Sequence, residues 1–387
     1  MNRLTAVAAA GLFAIAVGAP AVDAVRPGAF RWTVARVVPD FGVYFPAARL
    51  AADGKNPYDF PRLAEAEAEV DPDNDPLPAM SPPWALATLV PLAPFEYEPA
   101  RVAWFFLNLA LLTACGGALW ELFDGDPSKA AFGPLLAVAG YPAIQALGLG
   151  QFSAFTLAGL VLFVAAEKAG RPVLAGCGLA FLLVKPQTQV VVAVAVGLWV
   201  LDRRAWRILL GAGLGVGVLS LLIGFANPAI FGEYVESLRA ARPPDVFRPP
   251  LPGTLLRIAF GWDQFWLTFL PLPFGVAWAV WWYVRHRAAW NWPERMPVLA
   301  VVSFLASPYG WAYDHLVFLF AVIALAARGS RRPGPAALLV VAAWVGMVVY
   351  YRVMIANGFD EFHWVWVPPV LLGTYLWRTH LVCPPTR

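Results

Sequence analysis

The sequence predicts an all-α polytopic membrane protein with about 11–12 transmembrane helices. Three observations carry this reading: a composition too apolar for a soluble domain, a succession of apolar runs near spanning length, and basic residues gathered at every second connection. Hydrophobic residues make up 60% of the 387-residue chain and charged residues 14%, whereas soluble domains average roughly 45–50% and about 25%. The chain holds 18 tryptophans, a residue that favours membrane–water interfaces.

A spanning helix needs about 20 mostly apolar residues. Candidate spans run near 4–22, 99–122, 130–148, 150–166, 172–184, 187–201, 207–225, 264–284, 296–307, 312–327, 334–354 and 363–377. The first follows Arg3 and precedes Ala21-Val22-Asp23-Ala24. It is longer than the apolar core of a cleaved signal peptide and reads as a retained span. The stretch 81–96 (SPPWALATLVPLAPFE) is apolar but rich in proline, which breaks helices, so it reads as re-entrant or interfacial.

The charges then set the sidedness. Lys129, Lys168 with Arg171, Arg203 with Arg204 and Arg207, Arg285 with Arg287 and Arg295, Arg328 with Arg331 and Arg332, and Arg378 with Arg387 fall at alternate connections. Basic connections stay cytoplasmic, which puts both termini on the cytoplasmic side of the plasma membrane. The result is a single domain over 1–387 with two long extracytoplasmic loops, 23–98 and 226–262. The formal net charge of +3 belongs to this topology signal. No basic face with base-stacking groups points to a nucleic acid.

The polar residues that stand out share the external side. In the first loop Phe41, Tyr44, Phe45 and Ala48 lie at helical spacing, with Arg49 and Asp53 on other faces. This predicts an amphipathic helix resting on the bilayer surface and ended by the turn signal Asn56-Pro57-Tyr58. The later external connections hold Gly150-Gln151, Lys185-Pro186-Gln187, the arginines Arg239, Arg242, Arg248 and Arg257, the run Ser307 to His315, and Asp360-Glu361-Phe362-His363. Lys185 ends the apolar run Phe181–Val184, and an ionisable residue in such a place is by default a candidate for function.

At these residues the chain resembles the polyprenol-phosphate-mannose-dependent mannosyltransferases of glycosyltransferase family 87, within the GT-C superfamily. The resemblance rests on Asp40-Phe41, Tyr44, Ala47-Ala48-Arg49, Gly54-Lys55-Asn56-Pro57-Tyr58-Asp59, Ser81-Pro82-Pro83, Gly150-Gln151, Lys185-Pro186 and Ser307-Pro308 with His315, in that order. Two departures stand out. Ser81 precedes Pro82-Pro83 where the family usually has an aromatic residue, and Tyr313-Asp314-His315 stands where adjacent histidines are common. The resemblance implies a GT-C fold and a polyprenyl-phosphate sugar donor, mannose first and arabinofuranose second. It also implies an extracytoplasmic active site and a catalytic aspartate that maps onto Asp40. By the same analogy the reaction inverts the sugar, and the acceptor is a cell-envelope glycolipid or glycan.

Such a transfer needs a base, a handle for phosphate and a sugar pocket. Asp40 is the candidate base, and capping of the following helix is its alternative role. Lys185, His315 and one or more of Arg239, Arg242, Arg248 and Arg257 are candidates for the charge that builds on the leaving phosphate. A snorkelling lysine, a satisfied helix-end histidine and solvated arginines are their alternatives. Tyr44, Asn56, Tyr58, Gln151, Tyr309 and Trp311 are candidates to line the sugar pocket, against interfacial, turn-forming or helix-starting roles. The donor's lipid tail is expected to enter between helices near 81–96.

No metal or other cofactor is expected. The acidic stretch 65–75 lacks an EF-hand spacing, and the three cysteines form no Cys-x-x-Cys pair. No Walker-type glycine-rich loop appears. A transporter or flippase of a lipid-linked sugar is the rival from another class. It fits the many spans but leaves the one-sided gathering of polar residues without a role and calls for an internal repeat that the chain does not show.

Overall fold

The computed structural model describes residues 40–70, 76–240, 247–331 and 335–382. The candidate span 4–22, Arg242 and Cys383 lie outside the described residues. Among the described residues every element is helical. In chain order the helices are α1 (Phe41–Ala52), α2 (Phe60–Ala68), α3 (Tyr97–Leu122), α4 (Phe132–Ala139), α5 (Tyr141–Leu149), α6 (Ser153–Lys168), α7 (Pro172–Ala180), α8 (Val190–Arg203), α9 (Trp206–Ala226), α10 (Ile230–Ala240), α11 (Pro252–Phe260), α12 (Pro271–His286), α13 (Trp292–Ala306), α14 (Leu319–Arg331), α15 (Pro335–Ala356) and α16 (Val367–Val382). One-turn and 3-10 pieces join them, including Pro83–Leu86, Phe181–Val184, Ala312–Phe318 and Glu361–Trp364.

Each apolar run from 99–122 onward is helical, so the helix pattern follows the sequence reading. Full crossing length is rarer. Among the described residues, four helical segments are long and apolar enough to cross a membrane: Tyr97–Leu122, Trp206–Ala226, Phe265–Ala289 and Ala312–Ser330. The pair α4–α5 makes a fifth if its two halves, bent by 63°, count as one span. The bend falls at Gly140-Tyr141-Pro142, where the proline withholds a backbone donor. Pro172 opens α7, and Pro186 follows its 3-10 extension, so this run is cut short at both ends. The stretch 81–96 forms only the turn Pro83–Leu86 and a 3-10 turn at Val90–Leu92, as its prolines dictate.

The helices are joined by close approach at glycine. A Cβ on Gly176 of α7 would lie 2.0 Å from the Ile208 carbonyl oxygen of α9, and one on Gly211 of α9 would lie 2.0 Å from that of Val173. Gly116 and Gly133 meet in the same way between α3 and α4, as do Gly159 and Gly178 between α6 and α7. Small residues let apolar helices pack where lipid offers no hydrophobic drive between them. Ala312–Ser330 is the central span, with 89% of its apolar window buried, whereas Trp206–Ala226 has 17% buried and keeps most of its apolar surface on the outside.

The two ends of the bundle differ. At one end the basic connections meet. Lys129 Nζ donates to the Ser330 carbonyl at 2.6 Å, the Asp126 N–H donates to Ser330 Oγ at 2.9 Å, and Arg287 lies 3.5 Å from Asp202. A cleft of about 310 Å³ there brings Phe123, Lys168, Trp292 and Arg328 together. At the other end a second apolar core forms from α1, Leu86, Trp104, Phe152, Val184, Ile223 and Ile230.

The helix α1 forms where the apolar spacing put it, but its setting differs from the expectation. Only Tyr44, Arg49 and Ala52 of its twelve residues escape full burial. It is enclosed by the protein rather than laid on a bilayer surface. Its small residues Gly42, Ala47, Ala48 and Ala51 allow neighbours to close over faces that a surface helix leaves open. It ends in a Schellman turn, with Gly54 at φ +73° and the Lys55 N–H donating to the Leu50 carbonyl at 2.9 Å.

Candidate active site

Asp40 stands at the N-terminus of α1 with helical φ and ψ of −56° and −22°. Its carboxylate makes no capping hydrogen bond to that helix. It accepts instead from Gln151 Nε2, and Tyr44, one turn along α1, donates to Gln151 Oε1 at 3.2 Å. Gly150 places Gln151. At φ +70° it ends α5 in the left-handed region, and a Cβ there would stand 2.6 Å from that of Phe41. Trp104 Nε1 pins the Gly150 carbonyl at 2.8 Å.

Burial pushes the Asp40 carboxyl up to about 6. The nearby Asp314 charge acts in the same direction, while the Gln151 hydrogen bond and the Lys185 charge oppose it. A carboxyl so poised is ionised at neutral pH and still has appreciable affinity for a proton.

Beside it lies a buried ion pair. Lys185 Nζ is 2.8 Å from Asp314 Oδ1 and 3.1 Å from Ser153 Oγ, and Ser153 Oγ itself donates to Asp314 Oδ1 at 2.6 Å. The other Asp314 oxygen accepts the Trp311 N–H at 3.0 Å. Lys185 Nζ sits 4.2 Å from the centre of the Tyr313 ring. Lys185 is held at the break between Phe181–Val184 and Pro186–Thr188, where proline forces the preceding residue out of the helical region.

A third carboxyl, Glu361, closes this end. Its Oε2 accepts the Ala312 N–H at 3.1 Å, and its Oε1 accepts from Gln145 Nε2. Burial pushes Glu361 up to about 7; the charges of Asp40 and Asp314 add to this, and its two hydrogen bonds oppose it. The preceding Asp360 lies 3.6 Å from Arg248. Among the described residues no group of three or more His, Cys, Asp or Glu side chains is arranged to hold a metal ion.

The structure brings together Asp40, Tyr44, Gln151 and Lys185, with Tyr309 close enough to feel the Asp40 charge. Tyr309 and Trp311 are partly exposed and meet edge-on, their ring centres 5.9 Å apart. Gln151 is fully buried, with its amide nitrogen bonded to Asp40 and its amide oxygen to Tyr44. Asn56 and Tyr58 shape the turn after α1 instead. Asn56 Oδ1 accepts the Tyr58 N–H at 2.8 Å, and the Tyr58 hydroxyl donates to the Ser81 carbonyl at 2.9 Å.

The expected phosphate handles separate. His315 is a correction. Its exposure is 0%, and its ring lies among Tyr141, Phe304 and Phe318 with Nδ1 hydrogen-bonded to the Tyr141 hydroxyl. A side chain so enclosed cannot touch a phosphate in this arrangement. Arg257 lies 4.0 Å over the Trp262 ring and donates to the Trp262 carbonyl at 3.0 Å, which ties it to its own loop. Arg239 is exposed in the last turn of α10. Arg248, through Asp360, is the arginine joined to the Glu361 turn.

Asp314, Glu361, Ser153 and Gln145 were not singled out from the sequence as site residues. Asp314 and Glu361 did carry a signal, as carboxyls in polar stretches that the charge pattern reads as external. Ser153 and Gln145 carried none, because only the folded chain brings them to Asp314 and Glu361.

Neither the curated proteins nor the solved structures gave a match to this chain. The family model for glycosyltransferase family 87 matches residues 81–308, more than half of the chain. The matched stretch contains Gln151, Ser153 and Lys185, which the fold sets beside Asp40 and Asp314. The chain belongs to glycosyltransferase family 87.

Proposed function

We propose that this glycosyltransferase moves a sugar, with mannose the first candidate, from a polyprenyl-phosphate donor to a hydroxyl of a cell-envelope glycolipid or glycan. The reaction takes place at the extracytoplasmic face of the plasma membrane, on a GT-C-type scaffold, and inverts the anomeric centre. Asp40 is the general base. The observation that carries this reading is the Asp40 carboxylate itself: free of helix capping, held by Gln151, and set beside Lys185.

In the transfer the acceptor oxygen bonds to the anomeric carbon as its proton passes to Asp40. The bond from that carbon to the donor phosphate breaks, and its electron pair leaves with the phosphate. Lys185 supplies preorganised positive charge to the leaving group, sharing its ammonium between Asp314 and the phosphate. Arg248 stands at the rim as a second cation. Tyr309 and Trp311 offer partly exposed ring faces to the sugar. One base and no protein nucleophile suit inversion. Membership of a glycosyltransferase family sets the transporter reading aside.

The segregated ends of the bundle support the sidedness, since the basic connections gather opposite this site. The test of the donor is transfer in membrane vesicles from radiolabelled polyprenyl-phosphate mannose, compared with a water-soluble mannosyl phosphate. The proposal expects label in a glycolipid or glycan from the lipid donor and far less from the soluble one. Equal turnover of both would refute the lipid-linked donor.

A further inference from the structure

Glu361 belongs to the turn before α16, far along the chain from Lys185, yet its contacts lead to Lys185. Its Oε2 accepts from the backbone of Ala312, the first residue of the 3-10 turn that carries Asp314. Its Oε1 accepts from Gln145 on α5, the second half of the bent helix pair. Asp314, two residues after Ala312, holds Lys185 at 2.8 Å. One carboxylate therefore fastens the turn bearing the Lys185 counter-ion to the helix that ends in Gly150 and delivers Gln151 to Asp40. We propose that Glu361 is a positioning residue for the transfer, a clamp whose two oxygens fix the Asp314–Lys185 pair relative to Gln151 and Asp40.

The clamp rests on the reading of Asp40 and Lys185 given above. It assigns Glu361 no contact with substrate. The groups facing it are Gln145 and Tyr141 of α5, Tyr309 and Asp314 on the 307–318 stretch, Tyr351 of α15, and Asp40. A rival role follows from the same surroundings, since a carboxyl among these groups could itself carry the acceptor's proton.

Glutamine separates the two roles. In Glu361→Gln the amide oxygen still accepts from Ala312, and the amide NH2 can donate to Gln145 Oε1, which has no hydrogen-bond partner in the wild type. A neutral amide thus keeps both arms of the clamp and can take no proton. Alanine removes both arms.

The experiment uses the full-length protein in lipid nanodiscs, with polyprenyl-phosphate mannose as donor and octyl mannoside as acceptor probe. Turnover is measured alongside hydrogen exchange of peptides covering 310–316. The clamp predicts that Glu361→Ala speeds exchange in those peptides while exchange of α3 and α9 stays unchanged, which rules out global misfolding. It also predicts a fall in kcat of up to about 10²-fold, the scale of an ångström-sized misplacement, and recovery of most of that loss in Glu361→Gln. A Glu361→Gln protein as inactive as Glu361→Ala would overturn the clamp in favour of proton transfer by Glu361. Unchanged exchange and turnover in Glu361→Ala would overturn it outright. Faster exchange in Glu361→Ala, with no transfer from any protein including wild type, would overturn the transfer reading and leave the contact itself standing.

Discussion

At Asp40 the backbone is already helical, and the carboxylate turns to Gln151 rather than capping α1. Capping and base catalysis were equally open from position alone, and the hydrogen bond to Gln151 takes the carboxylate away from capping. The pH consequence follows from burial, which raises this carboxyl to about 6. Only the ionised form accepts a proton, so transfer is expected to fall as pH drops through about 6 and to level off above it. A pH profile of kcat/KM for the sugar acceptor measures this, and a rate that stays flat down to pH 4.5 or so would argue against Asp40 as the base. Asp314 and Lys185 form a buried pair, with side chains only 6% and 11% exposed. Truncating one partner strands the other charge, at a cost of about 3–5 kcal/mol. Asp314→Ala is therefore expected to lower the melting temperature sharply, and adding Lys185→Ala to restore part of the loss in a double-mutant cycle. Among single residues, Lys185 drew notice as a charge at the end of an apolar run, and the fold buries it against Asp314 rather than leaving it to snorkel. His315 and Gln151 were not legible, because sequence shows that a polar side chain exists and not that the fold encloses it.

Among the elements, α1 shows how far periodicity reaches. The apolar stripe Phe41, Tyr44, Phe45 and Ala48 marked its existence, but the helix stops at Ala52, in the Gly54 Schellman turn, ahead of the Asn56-Pro57-Tyr58 turn expected to end it. What covers the opposite face is a tertiary matter, and there the interfacial expectation failed. The prolines of 81–96 were a safer guide, because they act on the backbone itself whatever surrounds it. Glycine contacts were silent in the sequence. Gly176 and Gly211 seat α7 against α9, whereas Gly213 and Gly217 on the same helix have nothing within 4 Å of a built Cβ. Gly176→Val and Gly211→Val are expected to destabilise by at least about 1–3 kcal/mol through overpacking, with Gly213→Val and Gly217→Val far milder. Thermal melts of the four detergent-solubilised variants check this, and equal losses in all four would contradict the close approach.

For the whole molecule, the legible feature was the alternation of basic connections. It grouped segments that the fold then placed at one end, around Ser330, Asp202 and the cleft near Trp292. Composition gave the membrane class directly. The number of full crossings was less legible, since hydropathy counts apolar runs while Gly140-Tyr141-Pro142 and the prolines around α7 decide where a run breaks. The site draws on α1, the α5–α6 junction, the break after α7, the 312–318 turn and the 360–361 turn. Segments so far apart in the chain reveal their chemistry only when the bundle is assembled.

The central claim is that Asp40 takes the acceptor's proton during transfer from a lipid-linked donor. Its most direct test is sugar transfer in membrane vesicles from radiolabelled polyprenyl-phosphate mannose, with wild type and Asp40→Asn at equal expression. The account predicts label in a glycolipid or glycan for wild type and a loss of about 10²–10⁴-fold for the variant, the usual scale of general-base catalysis. Transfer that survives Asp40→Asn at near wild-type rate would contradict it and return Asp40 to a structural role at the start of α1.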